Sequence, residues 1–307
     1  MIKILRPVTV PIEKTSVLLF PGQGSQFVGM AKNVIDVSGV KDMFESASSI
    51  LRTDLLKICL EGPPEKLKKT IHCQPAVYVT SLAAAKKLQL ECPECVATAG
   101  YSVGEIAALA FAGTFTFEEG LHLLRVRAES MQRASDLLPS GMAWVTLGHD
   151  SQLRAALAAA INHCKEELKM ETPVVCQVAA YISPECKVIA GNIEALEFIE
   201  SHLEQFRLGS MKRLEVAGAF HTPLMLPAVD AVKHALKRLP PARAPAIPVV
   251  SNLTRPLCWE QTLHALYARP EEVPFPKTFE VGPGRKLGVT LRMVNAKAFK
   301  RYESVEV

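Results

Sequence analysis

The sequence lacks the features that mark membrane, nucleic-acid and repeat proteins. No apolar run is long enough to span a bilayer, so we expect no membrane span. No block of like charges stands out and the net charge is only +4, which favours a solvated mixed surface over a nucleic-acid interface. Internal repeats and low-complexity tracts are also absent from the printed sequence.

A metal centre is not expected either. The eight cysteines are scattered, and we expect reduced thiols in an intracellular compartment. Cys92 and Cys95 form a lone CxxC pair, whereas a zinc site needs a second pair at suitable spacing. A redox role for this pair is the lesser alternative.

What the chain does have suits a globular enzyme. Its 307 residues are 49% hydrophobic and 21% charged, which fits one large domain or a large domain with an insert. The segment 1–15 carries Lys3, Arg6 and Lys14 against Glu13. It lacks the serine richness of a transit peptide, so it leaves targeting open.

The first part of the chain alternates strands and helices. Ser16–Phe20 and Cys95–Ala99 are apolar runs that predict buried strands. Helical patterns cover 41–60, 105–112 and a segment that Gln74-Pro75-Ala76 opens and that runs to about Leu88. This alternation predicts an α/β core with a parallel sheet, which we assign to residues 16–141 and 218–307.

The rhythm changes at about residue 142. Strands are predicted at 142–147, 174–181, 187–190 and 211–217, with helices at 151–166 and 193–205. This βαββαβ order is that of a ferredoxin-like unit. We therefore expect residues 142–217 to form a small subdomain inserted into the larger sheet.

A candidate nucleophile lies in Gly100-Tyr101-Ser102-Val103-Gly104. The predicted strand before it and helix after it are the context of a nucleophile elbow, in which glycines allow a sharp turn that exposes the serine. The N–H of Val103 and the helix N-terminus would then point at a developing oxyanion. The alternative is a serine that caps an ordinary turn.

A serine hydroxyl needs a base, and His221 is the candidate. It follows Leu214–Phe220, which we interpret as a strand running into a glycine turn, and catalytic groups of α/β enzymes lie at such strand ends. Position alone leaves a catalytic and a structural histidine equally open.

Arg127 falls on the apolar stripe of a helix that begins with a capping box at Thr116. A guanidinium on such a face requires a partner. That partner is either a protein carboxylate, which the sequence alone favours, or a substrate carboxylate bound by two hydrogen bonds.

Taken together, the motifs resemble those of the malonyl-CoA:acyl carrier protein transacylases of type II fatty acid synthesis, above all the mitochondrial animal members. The likeness runs from Ser16 to the C-terminus. It rests on these segments: Leu18–Gln26 (LLFPGQGSQ), His72–Ala76 (HCQPA), Gly100–Glu105 (GYSVGE), Arg127–Gln132 (RAESMQ), Ser183-Pro184, Ala219–Met225 (AFHTPLM) and Glu280–Gly284 (EVGPG).

The resemblance implies roles for particular residues. Ser102 is the nucleophile that becomes the malonyl ester, and His221 is its base and then the acid for the leaving thiol. Backbone N–H groups of Gln23 and Val103 form the oxyanion hole, and Arg127 binds the free malonate carboxylate.

The resemblance also implies a fold and partners. The fold would be an α/β-hydrolase-like parallel-sheet core with the inserted ferredoxin-like subdomain. The partners are malonyl-CoA and acyl carrier protein, with no metal or other cofactor. A monomer in mitochondria is expected, with the cytoplasm as the alternative location.

Three departures from the family pattern keep alternatives open. Tyr101 stands where the family often has His, and Ile182–Cys186 replaces an Asn-Ser-Pro-x-Gln stretch. Asn252 runs directly into Leu253, where members have a helix and a glutamine segment beside the histidine. The chain is therefore alternatively a weakened or non-catalytic isoform that binds CoA or carrier.

Other enzyme classes fit the motifs less well. A serine hydrolase or thioesterase would share the elbow, but it would need an acid from Asp136 or Asp150 and would leave Arg127 unexplained. Gly22-Gln23-Gly24-Ser25-Gln26 matches neither a P-loop nor a dinucleotide fingerprint.

Overall fold

The computed structural model describes residues 11–89, 94–252 and 256–307. Its helices are α1 (Val40–Leu51), α2 (Leu55–Glu61), α3 (Pro64–Lys68), α4 (Thr70–Gln89), α5 (Val103–Phe111), α6 (Phe117–Leu137), α7 (Leu153–Asn162), α8 (Ile193–Ser201), α9 (Leu226–Arg238), α10 (Trp259–Tyr267), α11 (Lys286–Val294) and α12 (Ala296–Phe299). Its strands are β1 (Thr15–Phe20), β2 (Glu94–Gly100), β3 (Ser140–Leu147), β4 (Cys176–Ser183), β5 (Cys186–Asn192), β6 (Leu208–Arg213), β7 (Val249–Val250), β8 (Leu257–Cys258), β9 (Lys277–Val281) and β10 (Tyr302–Val305).

The larger sheet is parallel throughout and has the strand order β10-β9-β1-β2-β7. Its central strand β1 is buried at every position, as expected for a parallel strand covered by helices on both faces. Catalytic groups of such sheets lie at the carboxyl ends of the strands. The predicted α/β class with a parallel sheet is confirmed.

The second sheet has the order β6-β3-β5-β4-β8. Its first four strands pair antiparallel and, with α7 and α8, follow the chain order βαββαβ. This is the ferredoxin-like order that the sequence predicts. Strand β8, from beyond the predicted insert, adds in parallel to β4. The division into 16–141, 142–217 and 218–307 stays a prediction.

Two helix predictions need correction. The pattern over 41–60 is two helices, because Arg52 takes a left-handed conformation (φ 53°) and Asp54 caps α2 by accepting from the Lys57 N–H. Helix α4 begins at Thr70 rather than Gln74. The Gln132 side chain accepts from the Thr70 N–H at 3.0 Å, so α6 caps α4 and Pro75 lies inside the helix.

The strand predicted to lead to His221 is also wrong. Strand β6 ends at Arg213, and no strand covers 214–220, all of which lie in the described part of the chain. One cross-strand bond remains at Leu214, whose N–H donates to Met142 O at 2.9 Å, and local turn bonds follow it. The Val216 N–H donates to Leu214 O and the Phe220 N–H to Gly218 O.

Within the described ranges, no helix combines the length and the apolarity that a bilayer span requires.

The capping box of α6 gives a stability prediction. The Thr116 hydroxyl accepts from the Glu119 N–H at 3.1 Å, and the Glu119 carboxylate accepts from the Thr116 N–H at 2.6 Å. Thr116→Ala should lower the free energy of unfolding by about 1 kcal/mol, because it removes one cap acceptor. Urea denaturation measures this loss. Thr116→Ser, which keeps the hydroxyl, is the control, and equal stability of the two variants would contradict the role of the cap.

Candidate active site

Ser102 lies at a sharp turn between β2 and α5. Its backbone has φ 54° and ψ −109°, a region that non-glycine residues rarely adopt and that surrounding structure must enforce. The flanking glycines permit the close packing. A Cβ on Gly100 would lie 2.0 Å from the Gly104 carbonyl, and one on Gly104 would lie 2.1 Å from Phe20 O. This is the backbone geometry of a nucleophile elbow.

The structure places His221 against this serine. The distance from Ser102 Oγ to His221 Nε2 is 3.0 Å, within hydrogen-bond reach for proton transfer. His221 reaches the site from a turn with φ 62°, rather than from a strand end. The turn is held by Thr222, whose hydroxyl donates to Ala219 O at 2.6 Å.

Arg127 reaches the same serine from α6. Its Nη2 donates to Ser102 Oγ at 3.2 Å, and its Nη1 donates to Gln74 Oε1 at 2.6 Å. Burial of the guanidinium lowers the pKa of Arg127 to about 10, and the charge of Glu105 opposes this shift. The cation therefore persists at neutral pH.

The protein carboxylate that acts on Arg127 is Glu105, and it acts through its charge rather than through a close ion pair. Among the ion pairs formed by the described residues, none includes Arg127. A half-buried cation beside Ser102, held by a neutral amide, is suited to bind an anionic group.

Gln23 and Val103 lie on two backbone segments that meet at the elbow. A Cβ on Gly22 would lie 2.5 Å from Tyr101 O, so the loop after β1 packs directly against the turn. The Gln23 side chain donates to Thr70 Oγ1 at 3.3 Å, and Val103 is the first residue of α5. Their oxyanion role stays a prediction.

A cleft of about 650 Å³ is lined by the loop after β1 and by Tyr101, the residue before Ser102. Its lining also includes Trp144, Lys212 and Lys286, but not Ser102, His221 or Arg127. This volume suits a ligand of moderate size.

The comparisons with known proteins now settle the family. The profile of the acyl transferase domain matches residues 17–273, which is most of the chain. The chain belongs to the acyl transferase family.

Individual relatives agree with this assignment. The acyl transferase is 47% identical to a probable mitochondrial malonyl-CoA-acyl carrier protein transacylase of Drosophila melanogaster, over 95% of this chain and 82% of the relative. It is 45% identical to the mitochondrial malonyl-CoA-acyl carrier protein transacylase of Homo sapiens, over 95% and 80%. The solved malonyl CoA-acyl carrier protein transacylase of Coxiella burnetii superposes with a TM-score of 0.83 at 26% identity, covering 97% of this chain and 95% of that one.

Three buried polar residues of the acyl transferase received no role from the sequence. Gln74 is 1% exposed and orients Arg127, while Glu105 and Asn252 are each 2% exposed and meet behind the elbow. The sequence offers one signal for such residues, a polar side chain within an apolar segment or next to a motif. That signal does not identify the partner of the side chain.

The structure does not test two of the predictions made from the sequence. Leu253–Arg255 and Cys92-Pro93 lie outside the described residues, so the weakened-isoform alternative and the redox role of the CxxC pair stay predictions. Within the described ranges, no cluster of three metal-ligating side chains occurs.

The elbow gives the second prediction. Ser102→Ala should abolish labelling of the acyl transferase by a fluorophosphonate, because such reagents react with a serine that an adjacent base activates. Fluorescence of the labelled protein on a gel measures the reaction. Ser130→Ala, which changes a buried serine of α6, is the control and should label normally. Labelling that persists in Ser102→Ala would place the nucleophile elsewhere.

Proposed function

We propose that the chain moves the malonyl group of malonyl-CoA, through an ester of Ser102, onto the phosphopantetheine thiol of acyl carrier protein, and so supplies fatty acid synthesis. The observation that carries this proposal is the position of Ser102 Oγ, 3.0 Å from His221 Nε2 and 3.2 Å from Arg127 Nη2. A base and a half-buried cation thus converge on one hydroxyl.

Acylation uses the base first. His221 Nε2 takes the proton of Ser102 as Oγ attacks the thioester carbonyl, and the negative oxygen is received by the N–H groups of Gln23 and Val103. Collapse of the intermediate breaks the C–S bond, and the proton on His221 passes to the CoA thiolate. The products are malonyl-Ser102 and CoA.

Transfer reverses these steps with a different thiol. His221 accepts the proton of the carrier's phosphopantetheine thiol, whose sulfur attacks the serine ester. Ser102 then leaves and regains its proton from His221. Neither half-reaction requires a redox cofactor or a metal, because each exchanges one acyl bond for another.

Arg127 makes the site selective for an acyl group that carries a free carboxylate. Its Nη2 lies 3.2 Å from Ser102 Oγ. The malonyl group matches this short distance, because only one methylene separates its ester carbonyl from its free carboxylate. Gln74 holds the guanidinium through Nη1 at 2.6 Å. Orientation of this kind reduces the entropy lost when a substrate binds.

The hydrolase alternative is weaker in this geometry. Gln132 Nε2 donates to Asp136 at 2.9 Å, and Asp150 pairs with Arg207 at 3.3 Å. Both acids are exposed, so neither has the buried contact with a histidine that a catalytic triad requires.

Location and partners follow from the relatives. The fly and human proteins are named mitochondrial and named for acyl carrier protein. We therefore place this chain in mitochondria with acyl carrier protein as its partner. Action as a monomer without a bound cofactor remains part of the proposal.

Arg127→Ala tests the selectivity directly. Truncating one partner of a desolvated charge pair costs about 2–5 kcal/mol, so kcat/KM for malonyl-CoA should fall far more than that for acetyl-CoA. Stopped-flow acylation with both thioesters measures the ratio.

The matched control is Arg125→Ala on the same helix. Arg125 Nη1 donates to Ile50 O at 2.8 Å, away from the serine, so its loss should leave the malonyl-to-acetyl ratio unchanged. Equal losses for both substrates in Arg127→Ala would make Arg127 a structural residue.

Ionic strength should separate the two half-reactions. Carrier proteins of this family are acidic, and Lys68, Lys212 and Lys286 line the cleft. Electrostatic steering over a Debye length of about 10 Å weakens with salt, so transfer to carrier should slow more steeply than acylation by malonyl-CoA between low and high salt.

Single-turnover transfer at several salt concentrations measures this difference. Lys212→Glu should flatten the salt dependence, whereas Lys41→Glu, at an exposed lysine of α1 that pairs with Asp36, should not. Transfer rates that do not change with salt would remove steering from the account.

A further inference from the structure

A chain of hydrogen bonds connects the segment after β7 to both sides of the elbow. Asn252 Nδ2 donates to Gly100 O at 2.6 Å, two residues before Ser102. The Glu105 carboxylate, three residues after Ser102, accepts from Ser251 Oγ at 2.6 Å and from the Asn252 N–H at 3.3 Å. The serine is therefore bracketed by two anchor points that share one partner segment.

We infer that Glu105, Ser251 and Asn252 form a brace that holds Ser102 in its attacking position, and that they are positioning residues for acylation. The inference rests on the proposed function for one point, namely that acylation of Ser102 is the step that these three residues support. None of the three is placed at the substrate.

The backbone of Ser102 is the reason that a brace is needed. A non-glycine residue at φ 54° persists only where its surroundings over-determine it. Two residues from a distant part of the chain fix the strand before the serine and the helix after it. Relaxation of either anchor would let the turn move, and a displacement of about 1 Å costs on the order of a hundredfold in rate.

The chemistry of the three residues fits this role. Glu105 is 2% exposed, and burial raises its pKa while the bonds from Ser251 and Asn252 oppose that shift. A buried carboxylate that accepts two hydrogen bonds is retained against its desolvation cost. Asn252 must donate toward Gly100 O, so an aspartate there would place an oxygen against an oxygen.

The charge of Glu105 also attracts Arg127. This attraction can be separated from the hydrogen bonds that Glu105 accepts. Glutamine at position 105 preserves both bonds, because its Oε1 accepts from the Asn252 N–H and its Nε2 donates to Ser251 Oγ. It removes the charge and reverses the direction of the bond with Ser251, which in the wild type donates to the carboxylate. Alanine removes the bonds and the charge together.

The experiment compares Asn252→Ala, Asn252→Asp, Ser251→Ala, Glu105→Gln and Glu105→Ala with the wild type. The rate of Ser102 acylation per folded molecule is measured with malonyl-CoA and with p-nitrophenyl acetate, beside the melting temperature. Tyr267→Phe is the control, since it removes a buried hydrogen bond to Thr278 of 2.7 Å remote from the elbow.

The brace predicts a loss of about tenfold or more in kcat for Asn252→Ala and Glu105→Ala with both acyl donors, while KM changes less than about twofold. Asn252→Asp should be slower still, Ser251→Ala should be intermediate, and Glu105→Gln should retain most of the rate. Tyr267→Phe should lose stability at an unchanged rate.

Two results would overturn the brace. One is a fall in melting temperature with no change in rate per folded molecule, as in the control. The other is a loss in Glu105→Gln as large as in Glu105→Ala, which would assign the effect to charge. If p-nitrophenyl acetate acylates the wild type and malonyl-CoA does not, the proposed function fails while the ester still decides the brace.

Discussion

The close packing of three backbone segments at the carboxyl ends of β1 and β2 is the constraint on which the site depends. Gly104 packs against Phe20 O, and Gly100 packs against Gly104, so α5 begins almost on top of the strands. The turn that connects β2 to a helix so placed holds Ser102 at φ 54°. The position of the Ser102 hydroxyl and that of the N-terminus of α5 both follow from this one crossing.

Arg127 is a cation held near Ser102 without a close ion pair among the described residues. Arg127, on α6, donates hydrogen bonds to Gln74 on α4 and to Ser102. Helices that cover the sheet therefore place this positive charge beside the serine. A guanidinium that is desolvated yet lacks an ion-pair partner among the described residues is poised for an anion from outside. In the proposed function, selectivity for malonyl therefore depends on how α4 and α6 pack.

The sequence predicted what local pattern determines. The elbow could be read because strand, glycines and helix are contiguous, and the βαββαβ order could be read from periodicity. Predictions failed where distant side chains decide: Gln132 sets the start of α4, and turns replace the expected strand before His221. The contact of Glu105 with Asn252 spans 147 positions, which no local pattern reveals. The roles of Ser102, His221, Arg127, Gln23 and Val103 remain predictions that this geometry supports.

The most direct test of the central claim is the intact mass of the protein after mixing with malonyl-CoA and again after addition of holo-acyl carrier protein. The account predicts a gain of one malonyl group, mapped by peptide analysis to Ser102, followed by its loss to the carrier in equal amount. Malonyl-carrier formed without any protein adduct, or an adduct discharged only to free malonate, would contradict transfer through a seryl ester.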